Sequence, residues 1–473
     1  MLKYISGVKN QLPLYYFERL SEIPRGSGNE KEVANYIANF AKKKGLYWHM
    51  DEHLNVFVRR AASKGRENES PILLQAHTDM VCEKNKGTVH DFAKDPIKLV
   101  QEGNILHADG TTLGADDGFG VSMMMAILDD DTLSCPTVEC LFTSSEEIGL
   151  VGASNFDYSL VTATRMINLD SAEDSTLIIG CCGGVRTEFT LPVTKGASAL
   201  GYRLSIEGLC GGHSGEDIDR NRLNAHILMG VLLNKINEKS PIRVAYLNGG
   251  DKDNAIPREC EAIFTADSEI EKYIDDVCEY AKSLVKANED KGLKISFDKN
   301  VNCTPFSYED TKNILKLLSV RNGVLRYRTV APILPELSRN LARIRTNEDN
   351  ISVGFSSRCS LESGLNESTG ELDTLAAEMS AKTHHHEKYP GWESDPDAEI
   401  IESWKNAYAK ICGKELNVTL IHAGLECGII TSSVKNLSAV AVGCNVIDLH
   451  TPMERMELDS YDRIYDTLVE LLK

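Results

Sequence analysis

No block of lysines and arginines long enough to follow a nucleic-acid backbone occurs in this 473-residue chain, and its formal net charge is −19. A nucleic-acid partner is therefore not expected. The longest basic run, Lys42-Lys43-Lys44, closes a predicted amphipathic helix, where cations favour the negative end of the helix dipole. No stretch approaches the ~20 apolar residues needed to cross a bilayer, so no membrane partner is expected either. The opening MLKYISGVKN lacks a basic region followed by an apolar one, which argues against a secretory signal. The 13 cysteines are scattered without zinc-finger spacing. Buried free thiols in a cytoplasmic protein account for them better than disulfides.

What is present is the material of a large globular protein. Hydrophobic residues make up 42% and charged residues 26% of the chain, and its length fits two or three domains. In NEKEVANYIANFAKKKG, Val33, Ile37 and Phe40 share one helical face, and Gly45 supplies a stop. The apolar runs NVFVRR, PILLQAH, VECLFTS and RMINLD follow, separated by helix-like stretches, and SAVAVG adds a late buried strand. This alternation predicts an α/β catalytic domain, a mixed sheet with helices on both faces.

Between Val185 and Thr383 the pattern changes to β-like runs around amphipathic helices, and it occurs twice. Two α+β units in tandem, each ferredoxin-like, account for a segment of this length. The stretch KYPGWESDPDAE then reads as a hinge. The expected organisation is a discontinuous catalytic domain, 1–186 and 388–473, carrying an inserted α+β lid domain, 187–387.

The chemistry-bearing residues cluster at predicted strand ends. In His77-Thr78-Asp79, alternate residues project to one side, so one can bind a metal while the other orients it. Asp116 and Asp117 open a helix-like run, where acids are common for dipole reasons alone and where a carboxylate can also bridge two cations. The methionines 123–125 in that run read as ordinary helix core. Glu146 and Glu147 would repel in one low-dielectric site unless cations neutralise them. One of the pair can then ligate while its neighbour carries protons. Asp170 ends MINLD, and His450 follows the last apolar run and a short loop. His77, Glu146-Glu147, Asp170 and His450 lie just beyond predicted strands at one edge of one sheet, where α/β enzymes place their sites. Asp116, Glu147 and Asp170 with one hydroxide balance two divalent cations. Two histidines with three carboxylates favour Zn2+, with Co2+ or Mn2+ as alternatives.

The motifs HTDMV, GADDG, EEIG, NLDS, GGHSG and the final HTP, in this order over nearly the whole chain, resemble metallopeptidase family M20, most closely its aminoacyl-histidine dipeptidase branch. The resemblance implies that His77 and Asp170 bind one zinc, that Glu147 and His450 bind the other, and that Asp116 bridges them. It also implies a cis bond between Asp116 and Asp117, Asp79 as the support of the ligand histidine, and Glu146 as the general base toward a metal-activated bridging water. His213, in GGHSG, matches a substrate-contacting residue of the lid that a partner subunit supplies in many dimeric members. A doubled lid would supply it in cis, which leaves a homodimer open. Arg358 matches the residue that takes the substrate carboxylate. Asn254 and Gly424 match substrate neighbours, and Glu426 is a candidate for the free amino group.

The resemblance thus implies a di-zinc dipeptidase with broad specificity that includes Xaa-His substrates. An N-acyl amino acid deacylase or a carboxypeptidase of the same family is the alternative. A non-catalytic metal-binding protein would need the ligands but not Glu146. The histidines 384–386 read as a solvated loop rather than a metal tract, and His49, His53, His90, His107 and His226 are read the same way.

Overall fold

The structure is a computed structural model describing residues 2–329, 331 and 333–473. The chain forms two compact units. The first comprises Met1–Cys181, Trp392–Leu420 and Leu425–Lys473, and the second Cys182–Gly391 and Ile421–Gly424.

The first unit is built on a nine-stranded mixed sheet. At its centre Val138–Thr143, Ile72–His77, Arg165–Asn168 and Ser438–Ala441 run parallel. Antiparallel strands flank them, with Tyr47–Met50 and Val56–Arg60 on one side and Thr176–Cys181 and Trp392–Glu393 on the other. The parallel strands are buried on both faces, which is why their sequences read as continuous apolar runs rather than alternating ones. Ile72, Leu74 and Ala76 face the main core with Val138, Cys140 and Phe142. The helices Gln11–Ser21, Lys31–Lys44, Ala115–Asp129, Glu399–Cys412 and Leu458–Leu472 contribute the rest of that core. The alternate residues, Leu73, Gln75 and His77, point to the opposite face and are equally buried. Gly45 ends Lys31–Lys44 in the left-handed region, and Lys42–Lys44 form its last turn. The methionines 123–125 are fully buried.

The second unit is a nine-stranded antiparallel sheet faced by its own core. One β-α-β-β-α-β succession runs from Ala199–Glu207 through Ala225–Lys239, Ile242–Gly249, Cys260–Ala266 and Glu271–Ser283 to Lys294–Cys303. Another runs from Gly183–Pro192 through Tyr308–Leu317, Pro335–Thr346, Asn350–Cys359 and Glu362–Glu378 to Lys382–Tyr389. These halves are nested rather than tandem, because the first is inserted after the opening strand of the second. Lys294–Cys303 pairs back onto Ala199–Glu207, while Gly183–Pro192 pairs forward with Asn350–Cys359 and Lys382–Tyr389. The two halves join into one sheet through Gly249 and Ile344.

Three local expectations need correction. His384–His386 lie on the edge strand Lys382–Tyr389, not in a loop; period 2 puts His384 and His386 on one side, stacked at 5.4 Å. Among the free thiols Cys82 is exposed, and Cys210, Cys278, Cys303 and Cys412 are only partly buried. Asp116 and Asp117 do not begin a regular helix: both have non-helical backbone angles, and the bond between them is cis.

Candidate metal centre

The sheet's parallel centre fixes the first half of the site. His77 is the last residue of its strand and pairs in register with Thr143, so the loop after Thr143 starts beside it. That loop carries Glu146 and Glu147. Asp170 follows the neighbouring strand Arg165–Asn168 by two residues. His450 comes from a hairpin loop, since Val446–Ile447 pairs with Arg455–Glu457 and holds residues 448–454 between them.

These side chains converge. Asp116 presents one oxygen to each of two imidazoles: Oδ1 lies 3.0 Å from His77 Nε2, and Oδ2 lies 3.1 Å from His450 Nε2. His77 Nε2 is 3.9 Å from Asp170 Oδ1, and His450 Nε2 is 3.1 Å from Glu147 Oε1. Three groups of ligand atoms lie within 4.8 Å of one another: His77, Asp116 and Asp170; Asp116, Glu147 and His450; and His77, Glu146 and Glu147. The first two share Asp116, so this constellation can hold two ions around one carboxylate. Glu147 Oε1 is buried, with the His450 ring beside it as an ion-pair neighbour and no hydrogen bond from the surrounding backbone.

The electrostatics of the protein groups alone point the same way. Burial pushes the carboxyls of Asp170 and Glu146 well above the ordinary range, and neighbouring carboxylates add to this despite His77. Burial disfavours the charged imidazoles too, but hydrogen bonds to carboxylates outweigh it. His77 is held well above its usual value by Asp116 and Asp79, and His450 is raised to about 11 by Asp116 and Glu147.

Asp79 is fully buried and binds the surrounding loops. It accepts hydrogen bonds from Ser27 Oγ at 2.7 Å, Glu146 N at 3.0 Å and Glu147 N at 3.2 Å, and faces His77 Nδ1 at 3.4 Å. Burial opposes its charge, but these partners hold its carboxyl below the usual value. Asp117 turns away from the ligands. Its Oδ1 accepts from Gly120 N at 3.1 Å and its Oδ2 from His77 N at 3.2 Å, so it caps the helix that follows and ties it to the strand end. The adjacent acids therefore divide between the ligand group and the cap.

Several supporting residues carry no motif of their own. Arg25, fully buried, donates to the carbonyls of Thr78, Asp79 and Gly114. Glu30 accepts from Ser145 N and Oγ. Glu454 accepts from four backbone N–H groups, those of residues 113–116. Glu426 accepts from Gln75 Nε2 at 2.5 Å and Thr143 Oγ1 at 2.6 Å; burial raises its carboxyl to about 7. It has no solvent exposure. A charged residue inside an otherwise apolar or Gly-rich stretch, as Arg25 in IPRGSG, is the one sequence signal for these.

The second unit gathers its own polar group. Arg358 Nη1 donates to Tyr389 Oη at 3.0 Å, and Arg358 Nη2 lies 3.3 Å from His213 Nε2. His213 pairs in register with Ala255, and Ser214 N donates to Asn254 O at 2.8 Å. A Cβ on Gly424 would come within 2.8 Å of the Tyr389 ring, so the ring packs directly against this glycine. His213, Asn254, Arg358 and Gly424 are thus neighbours or share neighbours. His422 joins them through Ser338 Oγ at 2.7 Å and Cys182 Sγ at 2.9 Å. Burial, and then the Arg358 charge, lower its pKa to about 3, so it is neutral.

Comparison with known proteins identifies the family. Residues 73–473 match the model of peptidase family M20/M25/M40. The chain is 33% identical over 465 residues to the cytosol non-specific dipeptidase of Escherichia coli K12, covering 97% of this chain and 96% of that one. Among solved structures it is similar to the aminoacylhistidine dipeptidase of Vibrio alginolyticus, with a TM-score of 0.85 and 31% identity over 99% of this chain and 98% of that one. It shares its fold with aminopeptidase PepT of Bacillus cereus at a TM-score of 0.58 and 14% identity, covering 98% of each chain. The chain belongs to peptidase family M20.

Proposed function

We propose that this protein is a cytoplasmic dipeptidase that works with two Zn2+ ions and whose substrates include Xaa-His dipeptides. The observation that carries the reading is the pair of ligand groups sharing Asp116, with Glu146 beside them. The named activities of the E. coli and Vibrio relatives support the substrate class. His77 and Asp170 would hold one ion, Glu147 and His450 the other, and Asp116 both. When bound, the ions acidify a water molecule and polarise the peptide carbonyl.

The remaining steps belong to the protein. Glu146 takes the proton from the attacking water and returns it to the leaving amine. Asp79 fixes the His77 ring and the backbone of both glutamates. His213 donates to the developing oxyanion. Arg358, already held by Tyr389, takes the substrate carboxylate, and Asn254 and Gly424 line the same subsite. The test is a panel of Xaa-His and other dipeptides, tripeptides and N-acetyl amino acids, with and without EDTA. EDTA-sensitive hydrolysis confined to dipeptides is expected. Preference for N-acetyl amino acids or for longer peptides would replace the reading with a deacylase or a carboxypeptidase. Zinc binding without any hydrolysis would leave a metal-binding protein.

A further inference from the structure

The loop bearing His450 also carries a buried acid, Glu454, that the two-metal reading leaves without a role. Glu454 is 2% exposed, and both of its oxygens are occupied. Oε2 accepts from Leu113 N at 2.8 Å and Gly114 N at 3.0 Å, while Oε1 accepts from Ala115 N at 2.8 Å and Asp116 N at 3.3 Å. Four successive backbone donors thus converge on one carboxylate, and the last of them belongs to the shared ligand itself. Gly114 sits in the left-handed region, and a Cβ there would strike Arg25 and Met80. Arg25 binds the same segment from its carbonyl side through Gly114 O, and it also binds Thr78 O at 3.1 Å and Asp79 O at 3.0 Å.

We infer that Glu454 is a positioning residue that fixes Asp116 between the two metal subsites, with Arg25 as its counterpart toward the His77 loop. The connectivity gives this its consequence. Glu454 and His450 share the hairpin loop 448–454, so the element that brings one metal ligand also sets the backbone of the bridge. Arg25 ties that bridge to the loop of His77 and Asp79. Neither residue touches substrate or metal; both act through Asp116. Outer partners of this kind typically govern 10–100-fold of metal affinity or activity.

The inference rests on the two-metal reading, so the test begins by counting Zn2+ bound to the wild-type protein against a chromophoric chelator. In Glu454→Gln the amide keeps the size but offers one acceptor oxygen, so two of the four N–H groups face an NH2. Two ions in the wild type are expected, with one site of Glu454→Gln weakened at least ~10-fold. Its kcat should fall by a similar factor while KM changes less than about threefold. Leu204→Ala, in the core of the second unit, controls for lost stability: its Tm falls with Zn2+ stoichiometry unchanged. Should Glu454→Gln fail to fold, Glu454→Asp and Arg25→Lys are read the same way. Wild-type affinity at both sites in a folded Glu454 variant overturns the inference. Fewer than two ions in the wild type overturns the reading beneath it.

Discussion

Replacing Asp79 by asparagine tests whether a residue that binds no metal controls those that do. Its carboxylate accepts three hydrogen bonds and faces His77 Nδ1, all without solvent. An amide must put an NH2 where one oxygen was. Placed at Oδ2 it can still donate to Ser27 Oγ but turns toward Glu147 N–H. Placed at Oδ1 it turns toward Glu146 N–H and His77. At least one buried donor loses its acceptor in either orientation, at a cost of about 1–3 kcal/mol. The charge that holds the His77 ring is lost as well. Asp79→Asn should therefore lower stability in urea by about 2 kcal/mol. Zn2+ affinity and kcat should each fall 10–100-fold. Ser27→Ala removes only the hydroxyl partner and should cost about 1 kcal/mol with metal affinity near wild type. Equilibrium unfolding and chelator competition on the same samples decide the matter. Wild-type Zn2+ affinity in a folded Asp79→Asn protein would refute the reasoning, because the ligands would then be held by something else.

Glu146→Gln should keep both ions and lose about 10²–10⁴-fold in kcat, checked by metal analysis and dipeptide turnover. In the metal-free protein His450 stays protonated to about pH 11, so Zn2+ binding at pH 7 should release protons, measurable as buffer-dependent heat in calorimetry. Because its folded pKa lies above its unfolded value, this histidine stabilises the metal-free fold fully below about pH 6.5. That contribution is lost as the pH rises toward 11, so the metal-free Tm should fall between pH 7 and 10. Arg358→Lys should raise KM for dipeptides roughly tenfold, since a point charge cannot reproduce the forked contact, and a steady-state comparison with kcat separates this from damage to the centre.

Much of the site was legible because parallel strands announce themselves. ILLQAH and MINLD are apolar runs that stop abruptly at a polar residue, and the sheet brings those stops to one edge. The nesting in the second unit was not legible. Local pattern specifies that Lys294–Cys303 is a strand but not that it pairs with Ala199–Glu207, nearly a hundred residues earlier. The supports were hidden for a related reason. Glu454 and Arg25 act on backbone groups, which every residue has, so nothing at positions 113–116 or 78–79 signals them. The Asp116-Asp117 pair shows the limit most sharply: two identical residues, one among the ligands and one capping a helix, which the family resemblance separates but their local pattern does not.

The central claim is that two ions act together through Asp116. Metal-free protein titrated with Zn2+, with Xaa-His hydrolysis recorded at each step, tests it most directly. The account predicts that activity follows the second equivalent and that two ions remain bound per chain. Full activity at one equivalent, or activity that survives complete removal of metal, would contradict it.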